Sequence, residues 1–347
     1  MVTFGGDCHK RTHTLVAVDD NGHELGVKTV SAVAAGHLEA LNWARQWPER
    51  RWALENCRHL SRRLEADLLL AGEAVVQVSP KLMAGARRSA REWGKSDPID
   101  ALAVARAALR ESELPVARLE GESREVKLLL DHRDDLVGER TRVQNRLRWH
   151  LHELEPSFDV PDRSLGRKVV IKQVEKVLAV HRGVAADIAV ELLERVRQLT
   201  ERINELEGQI RALVTRLAPN LLELDGCGAL SAAKLIGETA GITRFKTQAR
   251  FAMHNGSAPI PVWSGNSERH RLNRSGNRQI NAALHRIALT QMRLRGRGHD
   301  YIQHRRACGD TKKEAIRALR RRISDEVFRR MWQDSKSATN DCARLVA

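Results

Sequence analysis

Val2-Thr3-Phe4-Gly5-Gly6-Asp7, Thr14-Leu15-Val16-Ala17-Val18-Asp19 and the run from Glu24 to Val30 are the stretches whose reading decides the fold. Each is rich in strand-forming residues, and Asp20-Asn21-Gly22 is a hairpin-turn signal between the last two. A helical pattern follows from Gly36 to Trp47, then a short strand, Arg51-Trp52-Ala53-Leu54-Glu55. Leu60 to Leu70 reads as helix and Ala74-Val75-Val76-Gln77-Val78 as strand. From Pro80 a basic helix or loop runs to Gly94. Three meander strands followed by alternating helices and strands are the element order of a ribonuclease-H-like α/β domain.

The next stretch, Gly94-Lys95-Ser96-Asp97-Pro98-Ile99-Asp100-Ala101, places two carboxylates three residues apart where a helix begins. Pro98 suits the first helical turn, and Ala101 to Leu109 is strongly helix-forming. The i, i+3 spacing puts Asp97 and Asp100 on one face. One reading is a capping box, with Asp97 as N-cap. The other joins them to Asp7 and Glu55, each at a strand end, because strand ends and a helix start converge at one edge of an α/β sheet. Taken alone, Asp7 reads as a turn residue and Glu55 as a solvated strand end. Four clustered carboxylates repel one another unless divalent cations neutralise them. Mg²⁺ or Mn²⁺ on oxygen ligands would then act at a phosphodiester.

Lys+Arg 59 against Asp+Glu 44 give a formal charge of +15 over 347 residues, which predicts a polyanionic partner, nucleic acid first. No apolar run approaches transmembrane length, and the opening residues do not read as a signal peptide, so no membrane role is expected. The five cysteines are scattered without a CxxC pair, which speaks against a zinc site or a disulfide framework and for a reducing setting. Aromatics at 4% are too few for a large base-stacking platform.

The middle of the chain is helical. Val126, Leu130, Val137, Leu147, Leu151 and Leu154 roughly share a face up to Pro156. Ile188, Leu192, Val196, Leu199, Ile203, Leu206, Ile210, Leu213 and Leu217 form a heptad seam. That seam fits an internal antiparallel helical hairpin or a dimerising coiled coil equally well. Residues 156–183 read as a loop or hinge. After Pro219, Gly226-Cys227-Gly228 resembles the turn of a helix-hairpin-helix, with a packed turn as the plainer alternative. Asn255 to Asn266 is a loop by composition. It leads into a basic run carrying Arg269, Arg271, Arg274 and Arg278, suited to phosphate contacts. Ser264 in that loop is a nucleophile if cationic groups stabilise the developing charge, although turn chemistry also accounts for a lone Ser-Gly. Lys312 and Lys313 open a basic amphipathic helix over 311–331, and the polar tail after Trp332 is expected to be loose. The expected domains are 1–115, 116–218 with its loop, 219–335 and the tail 336–347.

Three blocks in this order resemble the DEDD transposases of the insertion-sequence 110 family. They are Gly6-Asp7-Cys8-His9-Lys10 with Thr12-His13-Thr14, Gly94 to Ala101, and Pro259 to Asn281 with Arg269-His270-Arg271-Leu272 and Gly276-Asn277-Arg278-Gln279-Ile280-Asn281. The resemblance implies a RuvC-like N-terminal domain with its DEDD set on Asp7, Glu55, Asp97 and Asp100. It also implies a C-terminal transposase domain with its nucleophile on Ser264. It further implies a covalent serine–DNA intermediate, an element-encoded structured guide RNA, donor and target duplexes, a homo-oligomer (dimer or tetramer) and a bacterial cytoplasmic, nucleoid-associated setting. Cys8 stands where the family usually has Val, and a single Ser264 stands where two adjacent serines are common. The competing readings are a metal-dependent junction nuclease with no covalent intermediate, and a non-catalytic RNA- or DNA-binding protein.

Overall fold

The computed structural model describes residues 1–55, 59–88, 94, 96–111, 114–117, 121–265, 267–274 and 276–346. Cys57, Lys95, Asn266 and Ser275 lie outside the described residues, and Ser264 and Arg269 are described by their backbone alone. The chain forms two units, Met1–Leu119 and Glu120–Ala347.

The first unit holds a five-stranded sheet: β1 (Val2–Cys8), β2 (Thr12–Val18), β3 (Glu24–Ser31), β4 (Arg50–Glu55) and β5 (Val75–Val78). Its order is β3-β2-β1-β4-β5. The first three strands form the expected antiparallel meander, and β4 and β5 add in parallel beside β1. Helices α1 (Ala34–Ala44), α2 (Arg62–Leu70), α3 (Pro80–Arg88) and α4 (Asp97–Arg110) complete it. Strand period sorts the two faces. Phe4, Cys8, Leu15, Trp52 and Leu54 point to one core together with Ala40, Ala44, Leu64 and Leu68. There Phe4 stacks on Trp52 with ring centroids 4.5 Å apart and meets Trp43 and Trp47 edge-on. Such pairs are worth about 1 kcal/mol each beyond area burial. The opposite face carries α4, whose Ala101, Leu102 and Ala105 pack on Val16 and Val18.

Gly5 makes that second packing possible. A Cβ at this position would lie 2.0 Å from the Ala101 carbonyl oxygen and 2.6 Å from the Ala105 nitrogen. The backbone of α4 therefore rests directly on β1. Period two then places Asp7, two residues beyond Gly5, on the face that α4 covers.

The second unit begins with α5 (Glu122–Leu154), α6 (Lys168–Leu178) and α7 (Val184–Leu217). Arg133 pairs with Glu207, Arg195 with Glu139 and Arg216 with Glu122, a ladder that makes α5 and α7 antiparallel. Of the two readings left open for the seam, the internal hairpin is the one observed. Val196, Leu199, Ile203, Leu206, Ile210 and Val214 are all buried within the chain. The loop expected over 156–183 contains α6, whose Val170, Ile171, Val174 and Leu178 are buried with Leu147, Leu193 and Val196. Its flanking Pro and Gly residues outweighed this i, i+1, i+4, i+8 stripe in the composition reading.

At its other end the hairpin joins the rest of the unit. Val126, Leu130, Ile210 and Val214 share one core with α8 (Pro219–Leu222), α9 (Ala229–Thr239), α10 (Gln248–Asn255), α11 (Arg278–Arg293), α12 (Arg297–Ala307) and α13 (Lys312–Val346). The Gly226-Cys227-Gly228 turn buries Cys227 in that core. The stretch read as a loop is instead a two-stranded hairpin, β6 (Ile260–Ser264) and β7 (Ser267–Arg271). Ile260 pairs with Arg271 and Ser264 with Ser267. The Pro- and Gly-rich composition hid the β-forming Ile260, Val262 and Trp263. Pro261 is tolerated because a two-stranded sheet consists of edge strands. The tail expected to be loose continues α13, which is held by Asp334: its carboxylate accepts from the Asn220 and Leu221 backbone N–H groups at the start of α8. No helix among the described residues is long and apolar enough to cross a membrane.

Candidate metal centre and nucleic-acid interface

Gly6 pairs with Leu54, so Asp7 and Glu55 follow at the same level on neighbouring parallel strands. Both stand on the face covered by α4, which brings Asp97 and Asp100 in its first turn. Ser96 is the N-cap of α4, with extended backbone, and its side chain makes no capping bond. The capping-box reading of Asp97 therefore does not hold. Asp97 is the first helical residue, and its carboxylate is directed elsewhere.

That direction is toward His9. The His9 Nε2 lies 3.1 Å from Asp7 Oδ2 and 3.4 Å from Asp97 Oδ1. One donor atom from each of Asp7, His9 and Asp97 falls within 4.8 Å of the others. Asp100 is mostly buried. Arg87 Nε lies 3.1 Å from its Oδ1, but without hydrogen-bond alignment, so that oxygen has no hydrogen-bond partner among the described residues.

The electrostatics bear the mark of like charges held together. Burial raises the Asp7 pKa, His9 opposes that, and Asp100 and Asp97 raise it further. Burial likewise raises Glu55, reinforced by Asp7 and then Asp100. For His9 burial acts downward, but Asp7 and Asp97 together carry its pKa above the ordinary value. The set is rich in carboxylate oxygens, one of them a buried oxygen that accepts no hydrogen bond among the described residues. That fits a hard divalent cation, with Asp7, Glu55, Asp97 and Asp100 supplying oxygens. His9 lies one residue beyond the end of β1, so strand alternation alone does not place its ring beside Asp7; the turn of the chain toward β2 does.

In the second unit Ser264 ends β6 at the tip of the hairpin, beside Trp263, which is 75% exposed, and Gly265 at the turn. Arg269 and Arg271 lie on β7. Beyond the hairpin base the chain returns through Arg274 to α11. Asn277 caps α11 by accepting from the Gln279 and Ile280 N–H groups, and it donates to buried Glu238 at 2.8 Å. Lys127 of α5 is ion-paired to the other Glu238 oxygen. The Gly276-Asn277-Arg278 segment is thus anchored through α9 to the long hairpin. Arg274 and Arg278 line a pocket of about 610 Å³ with His285, Arg317 and Arg320. Lys312 and Lys313 are exposed at the start of α13 and do not line it. The cations of α13 that face the pocket are Arg317 and Arg320, one turn apart.

Two family profiles match the chain. One, described as "Transposase", covers residues 4–156, and the other, "Transposase IS116/IS110/IS902 family", covers residues 218–303. The first contains all four acidic residues, and the second contains Ser264 and the arginines from 269 to 278. An insertion element IS116 protein of Streptomyces clavuligerus is 28% identical across 94% of this chain and 94% of its own. An insertion element IS900 protein of Mycobacterium paratuberculosis is 26% identical across 92% and 93%. Among solved structures, RuvC of T. thermophilus in complex with a Holliday junction substrate aligns with 34% of this chain and 99% of its own, at 17% identity and a TM-score of 0.28.

Proposed function

The chain belongs to the IS116/IS110/IS902 transposase family and is therefore an enzyme that cuts and rejoins DNA; we propose that it does so through Ser264, aided by a divalent-metal site on Asp7, Glu55, Asp97 and Asp100. The observation that carries the metal half is the convergence of Asp7, His9 and Asp97 donor atoms within 4.8 Å, at a helix start whose carboxylates are not spent on capping. The first unit is then a RuvC-like domain, a reading supported by its meander-first sheet.

In the serine step, Ser264 Oγ forms a bond to a DNA phosphorus while the bond from that phosphorus to a sugar oxygen breaks. The serine proton ends on the departing hydroxyl. Rejoining is the reverse, with a new sugar hydroxyl displacing the serine. A serine hydroxyl is a poor nucleophile at pH 7, so proton removal and cationic stabilisation of the phosphorane are required. Arg269, Arg271, Arg274 and Arg278 lie close in sequence to supply the second. A bound Mg²⁺ or Mn²⁺ would supply Lewis-acid polarisation at the phosphate oxygens. Asp7, Glu55, Asp97 and Asp100 would hold it, and His9 would orient Asp7 and Asp97.

The charge of +15 supports a second nucleic acid beside donor and target duplexes, a structured guide RNA that directs the cut. The functional unit is a homo-oligomer working on the DNA of the bacterial cytoplasm. The deciding experiment looks for DNA covalently attached to protein after denaturation. The expected result is an adduct with the parent protein and none with Ser264→Ala, while RNA still copurifies with both. Cutting by Ser264→Ala at the parent rate, without an adduct, would instead establish a metal-dependent nuclease, the reading that the acidic cluster taken alone favours.

A further inference from the structure

The pocket lined by Arg274, Arg278, His285, Arg317 and Arg320 is electrostatically incomplete. No carboxylate is among its described lining residues. Arg320 spends one guanidinium nitrogen on Asn281 Oδ1 at 3.0 Å, and the Asn281 amide is fixed by donating to the Asn255 carbonyl at 2.8 Å. The buried Arg320 Nε has no hydrogen-bond partner among the described residues. A buried guanidinium donor without an acceptor is costly, and five donors in a rigid fork match a phosphate.

The walls of the pocket are held closed. A Cβ at Gly276 would lie 2.2 Å from the Gly256 nitrogen, so the two turns touch backbone to backbone at its edge. The neighbours of Arg320 and His285 act in the same direction. Burial, then Arg317, lowers the Arg320 pKa, and burial, then Arg320, lowers that of His285. Positive groups are crowded here against their own preference.

Position relative to Ser264 follows from the hairpin register. Leu272 and Asn273, which continue β7, line the pocket. Ser264 lies four residues along β6 from Ile260, which pairs with Arg271 at the hairpin base. At ~3.3 Å per residue the serine at the tip stands ~13 Å away along the strand. The geometry points to a built-in anchor for one nucleic-acid backbone phosphate, distinct from the phosphate that Ser264 attacks. It rests on the proposal that these arginines meet nucleic acid, and it assigns Arg317, Arg320 and His285 to that role as well. The anchor sets where along the strand the serine falls.

The shared ligand chemistry is a phosphodiester, and DNA and guide RNA are its two sources. The test uses the full chain with duplex DNA and with its copurifying RNA, each carrying a single uncharged methylphosphonate walked along the strand. With the parent protein, one position weakens binding at least tenfold. With Arg317→Gln/Arg320→Gln that position no longer matters, and the slope of log affinity against log salt falls by about 1, for the one phosphate no longer neutralised. A sensitive position in DNA identifies DNA as the source, and one in RNA identifies RNA. Arg317 is exposed, so Arg317→Gln alone tests the anchor in a chain that folds, with a slope change of no more than about 1 and a weaker dependence on the sensitive position. If no single position is sensitive, or the sensitive one is the phosphate joined to serine, the anchor is overturned. The adduct assay is independent of this result: an adduct without a sensitive position rejects the anchor only, and a sensitive position without an adduct rejects the serine mechanism only.

Discussion

The acidic corner of the first unit and the arginine pocket of the second follow one plan with opposite signs. Each gathers like charges around the first turn of a helix, α4 with Asp97 and Asp100, α11 with Arg278. The helix dipole favours the carboxylates and opposes the arginine. The two clusters also differ in how they can relieve themselves. Carboxylates take up protons, and Asp7 and Glu55 respond with raised pKa values. Arginine does not deprotonate in the accessible range, so the pocket needs an anion. The acidic site is therefore tunable by pH and metal, whereas the basic site answers to nucleic acid and salt.

The comparison breaks most severely at Gly5. Replacing it with Val puts a side chain where the Ala101 carbonyl lies, so α4 must lift from β1 and carry Asp97 and Asp100 away from Asp7. A loss of about 3 kcal/mol in urea unfolding is expected, together with loss of Mn²⁺ binding followed by electron paramagnetic resonance. Tight Mn²⁺ binding by Gly5→Val would show that close packing of α4 does not build the site.

Asp7→Asn sharpens the contrast at lower cost. It removes one buried charge from a repelling set, so metal-free stability is expected to hold or rise by about 1 kcal/mol while Mn²⁺ binding is lost. A clear fall in metal-free stability would mean that the carboxylates support the fold instead of straining it. The acid response is the smallest effect. Burial, then His37, lowers His13 in the first unit to about 4, and burial, then Arg244, lowers His254 in the second to about 4. Both are depressed below their unfolded values, so their contribution is full above about pH 6.5 and is lost as pH falls toward 4. Histidine proton shifts followed by NMR should show neither ring titrating near 6.5. Asp7 and Glu55 run the other way in the metal-free protein: their raised pKa values mean the folded state takes up protons first, which relieves repulsion as pH falls from neutral. The same uptake weakens Mn²⁺ binding over that range, and calorimetric titration at several pH values measures it.

Much of this was legible in the residues. The meander strands, the parity that puts Asp7 and Glu55 on one face, and the Asp97–Asp100 pair opening a helix all follow from periods of 2 and 3.6. The α6 stripe was legible too, but the Pro and Gly residues around it carried more weight. The β6–β7 hairpin was harder, because five-residue strands with Pro261 leave almost no periodic signal.

What the sequence determined by itself is therefore local: which segments form strands or helices, which residues share a face, and the excess of positive charge. Tertiary structure alone decided the partners. The seam of α7 satisfies an internal helix and another subunit equally in periodicity, and it is the fold of α5 against it that buries Val196 to Val214 within the chain. His9 joins Asp97, 88 positions away, because Gly5 lets a helix backbone settle on a strand. Arg317 and Arg320 meet Arg274 and Arg278 because α13 folds back over α11. Local pattern records the direction of a side chain relative to its own backbone. Which charge it meets depends on long-range packing, where shape and volume select among arrangements that the pattern leaves equal.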